Sequence, residues 1–171
     1  MLQCARDEFT DPELAFPGAL SAHAELLSRF TVACHDLTMR MLGQLSDILG
    51  LEDEARLEAN HQDTKASDSG LKFISVPTIE RANQFPDTTH TDNGTLTLLW
   101  STEQSSQIQD PQTGEWGWVR QGKGQVLVNI ANSLQNQTGG RLHSCVHKVA
   151  QLTDGVRERL VVSYYLRPHT A

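Results

Sequence analysis

His90 and Asp92 stand two residues apart at the head of the run "HTDNGTLTLLW". In an extended chain, side chains alternate faces with a period of two, so this spacing aims an imidazole and a carboxylate to the same side while Thr91 points away. Together they make half of a metal site. A third donor has to come from elsewhere, because most His-x-Asp pairs lie on surfaces and bind nothing. Of the seven histidines, only His143 and His147 fall on a later strand-like run, "RLHSCVHKVA". Read as one strand, that run places both on one face with Cys145 between them. Two histidines and one carboxylate leave three coordination positions open, the arrangement used by non-haem Fe(II) oxygenases to hold a co-substrate and dioxygen together. His90, Asp92 and His147 meet that requirement. Adding Cys145 instead gives a closed tetrahedral zinc site, structural in character.

The elements that must position these side chains fall into two regimes. Between Leu26 and Ile48, apolar residues recur at Leu26, Phe30, Ala33, Leu37, Met41, Leu45 and Ile48, in steps of three or four that draw one stripe along a long helix. Gly50 is the expected stop, and His23 and His35 are expected to face solvent. The stretch "HQDTKASDSG" (61–70) is polar and rich in turn formers, and reads as a connector. From Leu71 onward come short runs rich in β-branched and aromatic residues: "LKFISV", "TLTLLW", "WGWVR", "QVLVNI", "RLHSCVHKVA" and "RLVVSYYL". Clusters such as "QDPQTGE" and "NQTGG" separate them, a spacing that suits an all-β sandwich or barrel.

Composition narrows the function classes. The chain has 171 residues, 14 Lys+Arg against 21 Asp+Glu, and a formal net charge of −7, which argues against a nucleic-acid footprint. Its length suits one domain with its own core. Cys4, Cys34 and Cys145 are odd in number and widely spaced, so no disulfide framework is expected, and a reducing compartment is the better match. The N-terminal run carries charges where a secretory signal has an apolar core, and no apolar stretch reaches membrane-spanning length. The expectation is a cytoplasmic protein without membrane or nucleic-acid partners.

Four stretches in order, "HTDNGTLTLLW", "TGEWGWV", "GQVLVNIANSLQNQTGGRLHSCVHKV" and "RERLVVSYYLRP", resemble the C-terminal region of 2-oxoglutarate/Fe(II)-dependent dioxygenases of the isopenicillin N synthase-like branch. The resemblance covers Leu71 to Pro168, and the long helix is similar to the one preceding the catalytic barrel in that family. It implies a mainly β fold, a double-stranded β-helix (jelly-roll) with a long N-terminal α-helix, divided into a helical segment and connector (1–70) and a dioxygenase domain (71–171). His90, Asp92 and His147 then match the metal ligands, and His143 stands where the family has a non-ligand residue. Arg159 matches the arginine that grips the far carboxylate of 2-oxoglutarate, a task suited to a planar, permanently charged fork. The implied cofactors are Fe(II), 2-oxoglutarate as co-substrate and dioxygen. The implied reaction is oxidation of a small organic molecule, in secondary metabolism, coupled to decarboxylation of 2-oxoglutarate.

The sequence also departs from the family. Val161 replaces the serine two residues after the arginine, Ile74 and Val76 replace an Asn-x-Tyr before Pro77, and Asn132 replaces an aspartate. The long N-terminal region usual in the family is missing. The chain is therefore expected to be either a fragment or a shortened form whose pocket is open or completed by a partner chain. A binding or regulatory remnant that keeps the fold without turnover is the other expectation these departures raise.

Overall fold

The computed structural model describes residues 2–5, 18–62, 65–77, 87–150, 156 and 158–169. Along the chain run β1 (Leu2–Ala5), α1 (Gly18–Ser21), α2 (Ala24–Leu49), two short 3-10 turns (Asp53–Ala55 and Leu57–Asn60), β2 (Gly70–Pro77), β3 (Leu96–Ser101), β4 (Ser106–Gln109), β5 (Trp116–Trp118), β6 (Leu127–Ile130), α3 (Asn132–Gln137), β7 (His147–Val149) and β8 (Glu158–Leu166). The strands form a five-stranded sheet, ordered β1-β2-β8-β3-β6, and a three-stranded sheet, ordered β5-β4-β7. Every pairing is antiparallel. The described fold is thus mainly β with a long helix, as the run pattern implies.

Alternation along the larger sheet divides labour between its faces. Leu71, Leu96, Leu98, Tyr164 and Leu166 are buried in the core under α2, together with Cys34 and Leu42 of the helix. The intervening residues of the same strands, among them Ile74, Thr97, Leu99, Val161 and Ser163, turn the other way and line a cavity closed on its far side by β4 and β7. Register fixes the division, since a one-residue slip in any strand would exchange core and cavity residues.

Helix α2 ends at Gly50, whose φ of 66° places it in the left-handed region that favours glycine at a helix end. The face it buries is rotated from the expected stripe. Thr31, Cys34, His35, Thr38, Leu42 and Ser46 are buried, whereas Leu26, Leu37 and Ile48 are 63%, 38% and 78% exposed. Small side chains at the seam let the helix lie close to the sheet. Their hydroxyls cost little there because each is bonded: Thr31 Oγ1 donates to Leu27 O (2.8 Å), Thr38 Oγ1 to Cys34 O (3.0 Å) and Ser46 Oγ to Glu58 Oε2 (2.7 Å). His35 is buried, contrary to expectation, with Nδ1 3.0 Å from the Tyr164 hydroxyl, and it ties the helix to β8.

Two further differences bear on the metal-site candidates. Residues 141–150 are not one strand, since only His147–Val149 pairs. The segment before it follows Gly139 and Gly140 (φ 61° and 83°) and is held by a bond from Ser144 N to Gln135 Oε1 of α3 at 2.7 Å. His143 consequently sits on an exposed loop. His61, the first residue of the polar connector, is buried. It is 4% exposed and wedged between the second 3-10 turn and the head of β3: Nδ1–H donates to Leu57 O (3.2 Å) and Nε2 accepts from Thr95 Oγ1 (2.8 Å).

The loop from Asp92 to Thr95 is pinned from three directions. Thr95 N donates to Leu166 O at the end of β8 (2.8 Å), while Asn132 N and Ser133 N of α3 donate to Asp92 O (2.8 Å) and Gly94 O (3.0 Å). The first N–H groups of a helix have no partner inside it, so α3 offers them to the loop. Gly94 is required by space: a Cβ there would lie 2.6 Å from Leu166 O, a backbone atom that cannot move aside cheaply.

Gly94→Ala is therefore expected to lower stability by about 1–3 kcal/mol through overpacking, read as a lower denaturation midpoint. A variant as stable as the parent would show that the loop relaxes freely. A second expectation concerns acid. Burial, with smaller contributions from His35 and His169, lowers the pKa of His61 to about 4. The unfolded chain then binds more protons than the folded one between the ordinary value of 6.5 and about 4. Stability attributable to this group is complete above the unfolded value and falls as pH drops through that window, by at most about 3 kcal/mol. His61→Gln should flatten the slope, so denaturant titrations of parent and variant at pH 7 and pH 5 should differ in their pH dependence; parallel curves would remove His61 as the cause.

Candidate active site

His90 lies just before the pinned loop and Asp92 opens it, while His147 begins β7 on the opposite sheet. Two backbone hydrogen bonds unite the histidines, His90 N to His147 O and His147 N to His90 O, both 2.9 Å, an isolated antiparallel bridge. It brings the rings to a centroid separation of 4.3 Å. Each ring then bonds a backbone carbonyl through Nδ1, His90 to Thr88 O and His147 to Cys145 O (3.2 Å). A carbonyl only accepts, so Nδ1 carries the proton and Nε2 of a neutral ring presents a lone pair. Both lone pairs point at Asp92 Oδ1, at 3.7 Å from His90 and 3.8 Å from His147, too far for hydrogen bonds.

Asp92 is 7% exposed, and its Oδ2 is buried without a hydrogen-bond partner. A buried carboxylate facing two lone pairs is unfavourable unless a cation joins them. One donor atom from each of the three residues lies within 4.8 Å of the others, the only such group of His, Cys, Asp or Glu among the described residues. Their hardness and type, two imidazoles and a carboxylate, suit a first-row metal with open positions. The site is thus a fit for Fe(II) on its own chemistry. Cys145 is outside the group and contributes only its carbonyl, and burial raises its thiol pKa, which opposes the thiolate a closed zinc site needs. Exposed His143 is outside the group as well.

Asn132, where the family has aspartate, braces the ligand loop: its Nδ2 donates to Thr91 Oγ1 (3.0 Å) and Asn93 Oδ1 (3.2 Å). The cavity beside the three ligands has a volume of about 390 Å³, within the range of small-molecule sites. Ile74 and Val161, paired across β2 and β8, both line it. Arg159 shares the face of β8 that carries Val161 and Ser163 but is not among the lining residues. It is 1% exposed, and its Nε donates to Gln104 O at 3.3 Å, behind the cavity residue Ser105. The side chain of Val76 lies outside the described residues.

Lys72, Thr97, Ser163 and Tyr165 also line the cavity, and the sequence reading did not single them out. Strand alternation carried the signal: Lys72 is two residues before Ile74, and Ser163 and Tyr165 follow Val161 at steps of two. Burial raises the pKa of the Tyr165 phenol, and the Asp92 charge adds to it, so the hydroxyl stays a neutral donor.

Residues 61–168 match the model of the 2OG-Fe(II) oxygenase superfamily. The chain is 33% identical over 159 residues to a 2-oxoglutarate-dependent dioxygenase, FG08081, of Gibberella zeae, covering 92% of this chain and 48% of that protein. It is 31% identical over 159 residues to the 2-oxoglutarate-dependent dioxygenase iboH of Amanita muscaria, covering 91% of this chain and 77% of that one. Among solved structures, the full-length Neurospora crassa protein crystallised with α-ketoglutarate and thymine superposes with a TM-score of 0.76 at 20% identity, over 92% of this chain and 49% of that one, a likeness of fold. The chain spans about half the length of the Gibberella and Neurospora proteins. From the family match and the Amanita relative together, the chain belongs to the 2OG-Fe(II) oxygenase superfamily.

Proposed function

We propose that this chain carries the catalytic centre of a 2-oxoglutarate-dependent dioxygenase that oxidises a small organic molecule in secondary metabolism. The observation that carries the reading is the trio of His90, Asp92 and His147, with both Nε2 lone pairs and a partnerless buried carboxylate oxygen converging beside an apolar cavity. These three residues hold the iron. When bound, Fe(II) supplies the activation of dioxygen that couples decarboxylation of 2-oxoglutarate to oxidation of the substrate. The chain's own part is geometric. Backbone carbonyls fix both imidazole tautomers, and α3 and β8 hold the Asp92 loop.

In this reading the sheets complete a double-stranded β-helix, the functional unit is residues 71–171, and the described part of residues 1–70 supports it through α2 and through β1, which pairs with β2. Arg159 receives the far carboxylate of the keto acid, turning from the Gln104 carbonyl to do so. Relatives that are fungal 2-oxoglutarate-dependent dioxygenases support a small metabolite as substrate. The fit of the donor set to an open iron site weighs against a non-catalytic remnant.

Succinate release from 2-oxoglutarate in the presence of Fe(II), ascorbate and a metabolite library tests the function. His90→Ala, Asp92→Ala and His147→Ala are each expected to reduce Fe(II) binding and turnover to background, while His143→Ala leaves both intact. A silent His147→Ala with an inactive His143→Ala would refute the assignment. For the co-substrate anchor, Arg159→Leu is expected to weaken 2-oxoglutarate binding at least tenfold without changing Fe(II) affinity, since a hydrogen bond to a charged group contributes roughly 1.5–3 kcal/mol. Val161→Ser is expected to strengthen it by restoring a donor two residues along the same face. Anaerobic titration of keto acid into the Fe(II)-loaded variants measures both, and unchanged binding in Arg159→Leu would place the anchor elsewhere.

A further inference from the structure

The cavity contains polar groups that neither the metal trio nor Arg159 uses. Lys72 lies in mid-strand on β2, directly opposite Ser163 of β8, and faces the cavity. Among the described residues no carboxylate lies within ion-pair distance of its ammonium. Its one aromatic neighbour is Tyr165, whose ring centre is 5.8 Å from Nζ. Across β8, Thr97 of β3 lies diagonal to Ser163, since Thr97 pairs with Tyr165 and Leu99 with Ser163. The hydroxyls of Thr97 and Ser163 are both buried, each residue 1% exposed, and neither has a hydrogen-bond partner of ordinary geometry; only the Tyr165 phenol, next on the same face, interacts with Ser163. Buried hydroxyls are nearly always satisfied in native proteins. Two hydroxyl donors open to the cavity, beside a cation with no ion-pair partner among the described residues, therefore mark a place for an acceptor that carries charge.

We propose that Lys72, Thr97 and Ser163 form a subsite for a carboxylate of the primary substrate, distinct from the anchor of the keto acid. The distinction rests on the dioxygenase reading above and on strand geometry. Ser163 is four residues along β8 from Arg159, about 13 Å at the rise of a strand, so a single carboxylate reaches one or the other. A lone ammonium with hydroxyl donors matches a monoanion, whereas phosphate sites gather backbone N–H groups or several cations. The lining between the two ends is apolar, with Ile74, Leu99 and Val161, which suits a substrate with a hydrocarbon body and an acidic head.

The test titrates the full chain with ω-phenyl carboxylates from phenylacetate to phenylbutanoate, each against its own amide, with and without Fe(II) and 2-oxoglutarate. At least one acid should bind ten-fold or more tightly than its amide. Lys72→Met, which keeps the apolar stem, should equalise acid and amide. Thr97→Val, close in shape, should weaken the acid several-fold and leave the amide unchanged. Neither variant should alter 2-oxoglutarate affinity. Equal binding of acid and amide throughout the series, no binding of either, or a preference that survives Lys72→Met would overturn the subsite. Loss of keto-acid binding in Lys72→Met would also overturn it, by making Lys72 the co-substrate anchor. The dioxygenase reading fails by a different signal, absence of keto-acid binding and succinate release in the unmodified chain, and the acid preference in the metal-free chain is read independently of that.

Discussion

The reciprocal pair of backbone hydrogen bonds between His90 and His147 is the constraint on which the site depends. The two residues are distant in sequence and belong to opposite sheets, yet the bridge sets their rings side by side without any side-chain contribution. Because the bonds are made by the main chain, the donor positions are fixed before any ion arrives. The rest of the structure preserves that bridge. β4 holds β7 in register, and β8 receives the Thr95 N–H, so the Asp92 loop is indexed to the central strand of the larger sheet. Preorganisation of this kind reduces the ordering that metal binding must otherwise accomplish.

Polar residues do the positioning at each layer, and they do so only where their hydrogen bonds are closed. Thr31 and Thr38 bond their own helix, His35 bonds Tyr164, and His61 bonds both Leu57 and Thr95. The buried seam under α2 is thereby satisfied and specific. On the other side of the same sheet, Asp92 Oδ2 and the hydroxyls of Thr97 and Ser163 are left open. The contrast between a closed seam and an open cavity, one strand thickness apart, separates a supporting face from a binding face.

Much of this was legible in the sequence, for reasons particular to each element. Strands β2, β3, β6 and β8 of the larger sheet declared themselves through β-branched and aromatic runs, and α2 through its periodicity and Gly50, whereas β1 (Leu2–Ala5), in the segment expected to be helical, has no such run. The spacing of His90 and Asp92 pointed to a shared ion even though strand pairing begins only at Leu96, because the local chain is extended enough to keep both on one side. What misled was hydropathy as a proxy for burial. Leu26, Leu37 and Ile48 are exposed, while threonine, serine and histidine occupy the seam. The short β4, the polar helix α3 and the loop around His143 were not legible either. Their form comes from tertiary hydrogen bonds, such as Ser144 to Gln135 and the α3 N–H groups to the Asp92 loop, and no local pattern encodes those.

The departures from the family pattern acquire a direction once the cavity is laid out along β2 and β8. At the Arg159 end, Val161 stands where serine is usual and Ile74 where asparagine is usual, so hydrogen-bonding capacity near the proposed co-substrate anchor is thinner. Two residues further along each strand, Lys72 and Ser163 face each other across the same cavity wall, with Thr97 diagonal to them. Polarity in this wall is thus concentrated at the end away from Arg159. In the proposed reading a keto acid would be held by the iron and by Arg159, and would need less from the wall. A substrate that does not bind the metal has no such help and depends on the wall for orientation. Under the proposed reading, this distribution of polar groups would put the discriminating contacts at the Lys72 end of the cavity, where differences between substrates could be read.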